Sequence, residues 1–100
     1  MNVEWGGKLC MQQATMNNFL RHRLPPFFPP AMSPKLSYAI DVNYFHEGNT
    51  NMLFYLWLNN YQEFWFFPIA FTYTYVQGYF WDGEKWVGSY VKREMIYAFF

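Results

Sequence analysis

The sequence is poor in the residues that protein chemistry most often uses. It has one cysteine, two histidines and 14% charged residues in a chain of 100. A lone cysteine, Cys10, excludes an internal disulfide framework, and we expect it to be a small buried hydrophobe in a protein of the reducing cytosol. The histidines and the cysteine lack the paired spacing of zinc ligands, and no glycine-rich phosphate loop is present. We therefore expect no metal and no cofactor.

Candidate catalytic residues are correspondingly few. Asp41, His46 and Glu47 lie close in sequence and would form a proton-transfer cluster if they converged in a cleft. Asp41 and His46 occupy odd and even positions of a predicted strand and so begin on opposite faces, which favours a solvated turn. Ser89 and Lys92 match a hydrolase-type spacing but lack its companion motifs. The sequence predicts a non-enzymatic protein with no catalytic residues.

Long hydrophobic runs and dense positive charge are also lacking. Residues 52–76 are largely apolar, but polar residues at 59, 60, 62 and 63 interrupt them before the ~20 residues that a membrane-spanning helix needs. Residues 1–35 hold four basic residues against one acidic (+3), and residues 36–100 hold three against six (−3). This split favours docking of the first segment on the second, within one chain or between chains. A charge of +3 is too small for the dense basic surface that binds nucleic acid, so we expect no nucleic-acid partner. Because the apolar run is interrupted, we also expect no membrane span.

Aromatic side chains, by contrast, are in excess. They make up 26% of the chain, and 22 of the 26 lie in residues 36–100. Each aromatic side chain buries about 150–250 Å² when it is covered, so these residues present a large apolar area for a segment of 65 residues to bury. A chain of this size also leaves roughly a third of its surface exposed on folding. We therefore expect some aromatic surface to remain outside the core or to meet a partner.

The first third of the chain predicts a helix followed by a proline-rich connector. In residues 8–24, Leu9, Met16 and Leu20 fall near one stripe, and prolines then end the helix; an extension without a helix is the alternative. Residues 24–34 hold five prolines and favour an extended path. They predict a stiff connector whose two phenylalanines pack on the core. The alternatives are a ligand for a proline-recognising domain and an arm that grips a neighbouring subunit.

The remainder predicts an antiparallel sheet of five or six curled strands. Residues 36–45 alternate strictly between apolar and polar positions, and residues 69–77 alternate again. Gly78 permits a bulge or a sharp turn before the next strand. Residues 95–100 favour a last strand, with a helix as the alternative.

A hairpin over residues 52–58 and 62–67 is the central feature of this sheet. A two-residue turn at Asn59-Asn60 would set Tyr55 opposite Phe64. Both faces of the hairpin are apolar, so we expect both to be covered, one of them by the helix. The residues predicted to hold the core or an oligomer together are Phe54, Tyr55, Trp57, Phe64 and Trp65.

A second turn, at residues 82–85, would set Trp81 across from Trp86. The competing two-residue Asp-Gly turn pairs Trp81 with Glu84 instead, and we favour the longer turn because a cross-strand tryptophan pair is stabilising. Aromatic rings near such a turn form a flat platform for a sugar ring or for a partner's apolar side chains. The predicted platform residues are Tyr73, Tyr75, Tyr79, Trp81 and Trp86.

These observations predict an α+β fold in a single domain over residues 1–100: a helix and connector over residues 1–35, then the antiparallel sheet over residues 36–100. A small all-β barrel with a disordered N-terminus is the alternative.

For function we predict a non-enzymatic interaction protein that self-associates as a homo-oligomer through aromatic sheet faces, as small viral or phage accessory proteins often do. The alternative is a ligand-binding module that uses the tryptophan platform for a carbohydrate or an apolar small molecule.

Overall fold

A computed structural model describes the backbone of residues 11–13 and residues 24–100. These residues form one antiparallel sheet in the spatial order β1-β6-β5-β4-β3-β7-β2. Residues 24–100 supply six of its strands, as predicted, and β1 adds a seventh at one edge. The sheet is open, so the barrel alternative is not formed. The strands are β1 (Met11–Gln13), β2 (Ile40–Asp41), β3 (Phe54–Leu58), β4 (Glu63–Phe71), β5 (Tyr75–Trp81), β6 (Trp86–Lys92) and β7 (Ile96–Phe99).

The predicted N-terminal helix is not supported. Its residues 11–13 form β1, which pairs with β6 so that Met11 lies opposite Val91. Residues 8–10, Cys10 among them, and residues 14–23 lie outside the described residues. Intrinsic helix propensity is a weak prior that pairing with a neighbouring strand overrides.

Within the described residues the helical elements are single 3₁₀ turns. They contain no helix long and apolar enough to cross a membrane. The predicted last strand is confirmed as β7, which follows one of these turns. The turns span Leu36–Tyr38, Val42–Tyr44, Glu47–Asn49 and Arg93–Met95.

Residues 36–45 do not form the regular strand that their alternation predicts. Only β2 pairs, with Ile40 opposite Phe99 and Asp41 opposite Ala98. The Asp41 carboxylate accepts a hydrogen bond from the Asn43 N–H at 2.8 Å and so caps the 3₁₀ turn that follows. Aspartate competes for backbone donors near it, and this local bond ends a strand that side-chain alternation would extend.

The β3–β4 hairpin has its predicted strands in a different register. Tyr55 lies opposite Trp65, so the predicted pairing of Tyr55 with Phe64 is wrong by one residue. The connection has three residues, 59–61, because the Leu58 N–H donates to the carbonyl of Gln62 rather than to that of Tyr61. Its third residue, Tyr61, is left-handed with φ 68°. A left-handed third residue is typical of three-residue hairpin loops, but a tyrosine there is unusual.

The sheet has two apolar faces of different composition. Every residue of β3 is buried, so its alternating side chains enter two covered layers. The prediction that the hairpin is apolar on both sides is therefore confirmed. We call one side the phenylalanine face, formed by Phe54, Leu56, Phe64, Phe66, Phe80 and Phe99. We call the other the tryptophan face, formed by Tyr55, Trp57, Trp65, Tyr79, Trp81 and Trp86.

Phe45 closes part of the phenylalanine face. It follows the turn that Asp41 caps, and it is buried. Its ring centroid lies 5.3 Å from that of Phe54 and 5.0 Å from those of Phe71 and Phe99. The pairs with Phe54 and Phe71 are edge-to-face, and such pairs add about 0.5–1.5 kcal/mol each beyond the area that they bury. The irregular segment between β2 and β3 thus supplies one layer over the sheet.

A bulge and a turn break the strand predicted over residues 69–77. The register of β4 against β5 shifts between Pro68 and Ala70. Ile69 therefore packs with the tryptophan face while Phe71 packs with the phenylalanine face. The chain then turns at residues 72–74, where the Thr72 hydroxyl accepts the Tyr75 N–H at 3.0 Å.

Gly78 lies where the facing strand leaves no room for a side chain. It sits within β5, opposite Pro68, where the register shift of β4 begins, so the predicted bulge lies on the strand that faces it. A Cβ at this position would lie 2.5 Å from the Phe67 carbonyl oxygen and 2.7 Å from the Phe66 ring. Real Cβ atoms are not found so close to backbone, so the pairing of these strands requires glycine.

We expect Gly78→Ala to lower the free energy of unfolding by about 1–3 kcal/mol, because the added methyl group overpacks the sheet against a rigid carbonyl. The matched control is Gly48→Ala, whose Cβ would meet the ring of exposed His46 at 2.7 Å. That exposed ring can rotate away at the cost of its hydrogen bond from the Gly48 N–H, so the control should lose less than Gly78→Ala, about 0.5–1 kcal/mol. Chemical denaturation of both variants measures the difference, and equal losses would show that Gly78 is not sterically required.

The two most exposed tyrosines of the hairpin loops give a second test. Tyr61 and Tyr73 are each 97% exposed, but only Tyr61 has a positive φ. Tyr61→Gly should raise the free energy of unfolding by about 0.5–1 kcal/mol, because relief of the left-handed strain outweighs the added chain entropy. Tyr73→Gly should lower it by a similar amount. Thermal or urea denaturation that gave both variants the same sign would contradict this account of the loop.

Candidate functional site

The turn between β5 and β6 has the predicted four-residue form. Trp81 lies opposite Trp86, with ring centroids 5.2 Å apart and planes inclined at 69°. The buried Asp82 carboxylate accepts the N–H groups of Glu84 and Lys85 at 2.8 Å each. Gly83 takes φ 104°, which glycine adopts without strain. The turn therefore holds the tryptophan pair at one end of the sheet.

Residues 24–34, which we call the proline arm, lie against this tryptophan pair. The Trp86 indole Nε1–H donates to the Phe27 carbonyl oxygen at 2.8 Å. The Phe27 ring stands edge-on to Trp86 and to Phe67, with centroids 6.3 Å and 5.9 Å away. The Phe28 ring contacts Trp81 at 5.4 Å. Both phenylalanines thus contact aromatic side chains of the sheet as predicted, and the stiffness of the connector stays a prediction.

The proline arm covers the tryptophan face without sealing it. A cleft of about 380 Å³ remains between residues 24–28 and the turn that carries Trp81 and Trp86. A second cleft, of about 510 Å³, lies between Pro29, Pro30 and the side chains of Tyr55 and Trp65. Both clefts open to the surface, and Tyr55, Tyr79 and Trp86 of this face are nevertheless buried.

Tyr55 joins the arm to the hairpin through its hydroxyl group. The hydroxyl donates to Glu63 Oε1 at 2.8 Å, across the β3–β4 pair. Burial raises the pKa of Tyr55 to about 12; a hydrogen bond with Ser33 of the arm lowers it in part, and the Glu63 carboxylate raises it. The neutral phenol is therefore the form that this part of the tryptophan face stabilises.

The five predicted platform residues do not form one continuous surface. Tyr73 is almost fully exposed on a turn, and Tyr75 packs edge-on to Tyr90 at 4.7 Å. Tyr79 and Trp86 are buried. Because β5 rises about 3.3 Å per residue, its two ends are about 20 Å apart. Binding by these rings stays a prediction, and the structure groups Tyr79, Trp81 and Trp86 in one cluster.

The five hairpin residues take core positions. Phe54 and Phe64 are buried on the phenylalanine face. Tyr55 and Trp57 are buried on the tryptophan face, where Trp65 is partly buried and its ring lies 4.9 Å from that of Tyr55. Any role in an oligomer would require the layers over these residues to move.

The three acidic and histidine residues considered for catalysis lie at the surface. Asp41, His46 and Glu47 are all exposed. The Asp41 carboxylate caps one turn, and His46 Nδ1 accepts the Gly48 N–H at 3.0 Å and caps the next. In the described part of the chain no three His, Cys, Asp or Glu side chains lie together as metal ligands would. Asp41 and His46 therefore have local structural partners.

Arg93 has a structural role that the sequence does not predict. Its guanidinium donates to the Thr72 carbonyl at 2.9 Å and lies 5.4 Å from the centre of the Phe71 ring. Its backbone N–H donates to the Thr74 carbonyl. Arg93 thus fixes the turn that carries Tyr73, and no local sequence signal links positions about 20 residues apart.

The chain matches no protein-family model, no curated protein and no solved structure. Arguments about its function therefore depend on the geometry described above.

The Tyr55 hydroxyl predicts a stability change at alkaline pH. Its folded-state pKa of about 12 exceeds the ordinary value of 10.0, so the folded protein keeps a proton that the unfolded chain releases between these values. The free energy of unfolding should therefore fall as pH rises from about 10 to about 12. Urea denaturation across this range measures the slope.

Tyr55→Phe should be less stable below pH 10, since it lacks the bond to Glu63, but should show a smaller slope. An equal slope in the variant would contradict the assignment.

Proposed function

We propose that this is a non-enzymatic interaction protein that self-associates through exposed aromatic surface. The observation that supports it best is a group of apolar side chains at the β2/β7 edge of the sheet. This edge patch consists of Tyr38, Ile40 and Phe100, which are 60%, 41% and 45% exposed. The Tyr38 and Phe100 rings lie 6.2 Å apart and already contact each other at the surface.

The edge patch fits self-association better than the sheet faces do. Both faces are covered by the chain's own segments, so the hairpin aromatics are inaccessible without rearrangement. β2 has only two residues, and the 3₁₀ turns on either side of it limit any extension of the sheet by a further strand. Side-chain contact between edge patches is then the simpler interface. A formal net charge of zero adds little repulsion between copies.

Sedimentation velocity over a wide concentration range tests this proposal. We expect the unmodified protein to associate by high micromolar concentration, and Tyr38→Ser/Phe100→Ser to weaken association by about tenfold, because large aromatic residues dominate such interfaces. Tyr73→Ser, which changes a still more exposed tyrosine away from the edge patch, should associate normally. A protein that stays monomeric throughout the range would overturn the proposal.

A ligand-binding module is the second candidate. The cleft of about 380 Å³ beside Trp81 and Trp86 favours it, since the cleft combines aromatic walls with the side chains of Glu84 and Lys85. A carbohydrate or an apolar small molecule that entered this cleft would contact Phe27 and Phe28 of the arm as well as the tryptophans. Binding there would therefore respond to changes in the proline arm.

A further inference from the structure

Three aromatic side chains form a row across neighbouring strands of the tryptophan face. Tyr55 of β3 lies opposite Trp65 of β4. The register of β4 against β5, continued by one residue, sets Trp65 beside Trp81. Neighbouring strands are about 4.8 Å apart, so the three side chains follow one another without a gap. All three border the cleft of about 510 Å³ next to the proline arm, a volume typical of sites for small molecules.

The rings of this row give the cleft aromatic walls that meet at a corner. The planes of Tyr55 and Trp65 are inclined at 78°, with centroids 4.9 Å apart. Trp65 and Trp81 are only partly buried, so part of each ring remains accessible. A flat sugar ring cannot stack on two walls at right angles, whereas a compact rounded group contacts both. The faces of aromatic rings are negative, and they attract a cation that lies within about 6 Å of the ring centre.

The oxygen atoms that line the same cleft also favour positive charge. The Tyr55 hydroxyl donates its hydrogen to Glu63 Oε1 at 2.8 Å, and it accepts a hydrogen bond from the Ser33 hydroxyl. Both hydroxyl hydrogens are thereby used, and the chain of hydrogen bonds ends on a carboxylate. Pro29 and Pro30 add carbonyl oxygens but no backbone N–H. Among the described residues of the lining, Glu63 is the one charged side chain, so this lining has a formal charge of −1.

We propose that this cleft binds a small quaternary ammonium cation such as choline. Aromatic walls with a nearby carboxylate suit such a cation, because it has no N–H group that needs a hydrogen-bond acceptor. A primary ammonium group is more strongly hydrated and would lose that water against aromatic walls. A metal ion would need several oxygen ligands, and the described residues bring no such group together. The inference goes beyond the proposed self-association, since a single chain supplies all of these residues.

Choline and its neutral carbon analogue, in which a tert-butyl group replaces the trimethylammonium group, test the role of charge. NMR titration of the full chain measures binding of each. We expect choline to bind with a dissociation constant of about 1 mM. Its N-methyl signals should move upfield, because they lie over ring faces. The neutral analogue should bind about fivefold to tenfold more weakly. Equal affinities, or no saturable binding of choline, would overturn the proposal.

Two variants with the same change of charge locate the site. Glu63→Gln keeps the size of the side chain and an acceptor for the Tyr55 hydroxyl, so it should weaken choline binding by about twofold to fivefold through loss of charge alone. Glu84→Gln makes the same change on a carboxylate that borders the cleft beside Trp86 and not this one. It should bind choline as the unmodified protein does. Both glutamates are exposed, so neither change should unfold the chain. An equal or larger loss in Glu84→Gln, or none in Glu63→Gln, would contradict the proposed site.

The aromatic wall is tested by Trp81→Leu, with circular dichroism as the check of folding. The variant should bind choline about threefold to tenfold more weakly, and its preference for choline over the neutral analogue should shrink, because the lost ring attracts charge. A merely structural role would leave that preference unchanged and would contradict the proposal. Phosphocholine distinguishes the free cation from a phosphate-bearing headgroup. We expect it to bind less tightly than choline, since the Glu63 carboxylate repels the phosphate; tighter binding would overturn the choice of a free cation.

Discussion

The fold depends on covering both faces of the β3–β4 hairpin at once. A strand whose every residue is buried cannot be stabilised by a single layer, and burial of each large apolar side chain contributes about 1.5–3 kcal/mol. Phe45 and its neighbouring turns form the layer over one face, and the proline arm forms the layer over the other. The arm therefore covers core residues, although its own phenylalanines remain exposed. Its removal would expose a contiguous aromatic surface, which soluble proteins rarely tolerate without a replacement cover.

The features that the sequence predicts correctly arise from local chemistry. The turn at residues 82–85 follows from an aspartate that caps the backbone two and three residues later and from a glycine that accepts positive φ. The two-faced hairpin follows from an unbroken apolar run, and the docked connector follows from Phe27 and Phe28 between proline pairs. In each case the residues that determine the structure lie within a few positions of one another, so pattern reasoning reaches them.

The features that it misses depend on distant or atypical partners. The hairpin register differs by one residue from the predicted register because Tyr61 takes a conformation that tyrosine rarely adopts. The bulge beside Ile69 reverses the alternation of β4. Strict alternation over residues 36–45 predicts a strand, yet one carboxylate hydrogen bond at Asp41 ends it. The candidate site itself joins Trp86 to Phe27, 59 positions away. No period or motif encodes a bond across that separation.

Pro68 has a consequence for how an aromatic-rich sheet avoids mispairing. β4 carries aromatic residues at four successive positions, 64–67, so a shift of one or two residues against β5 would still bring rings together and cost little apolar contact. Proline offers no N–H, however, and the Phe66 ring lies where any residue other than glycine would collide with it. Only the observed alignment brings Pro68 and Gly78 opposite each other. The Pro68–Gly78 pair therefore disfavours alternative registers of these two aromatic strands by steric exclusion. The observed register is the one that it allows.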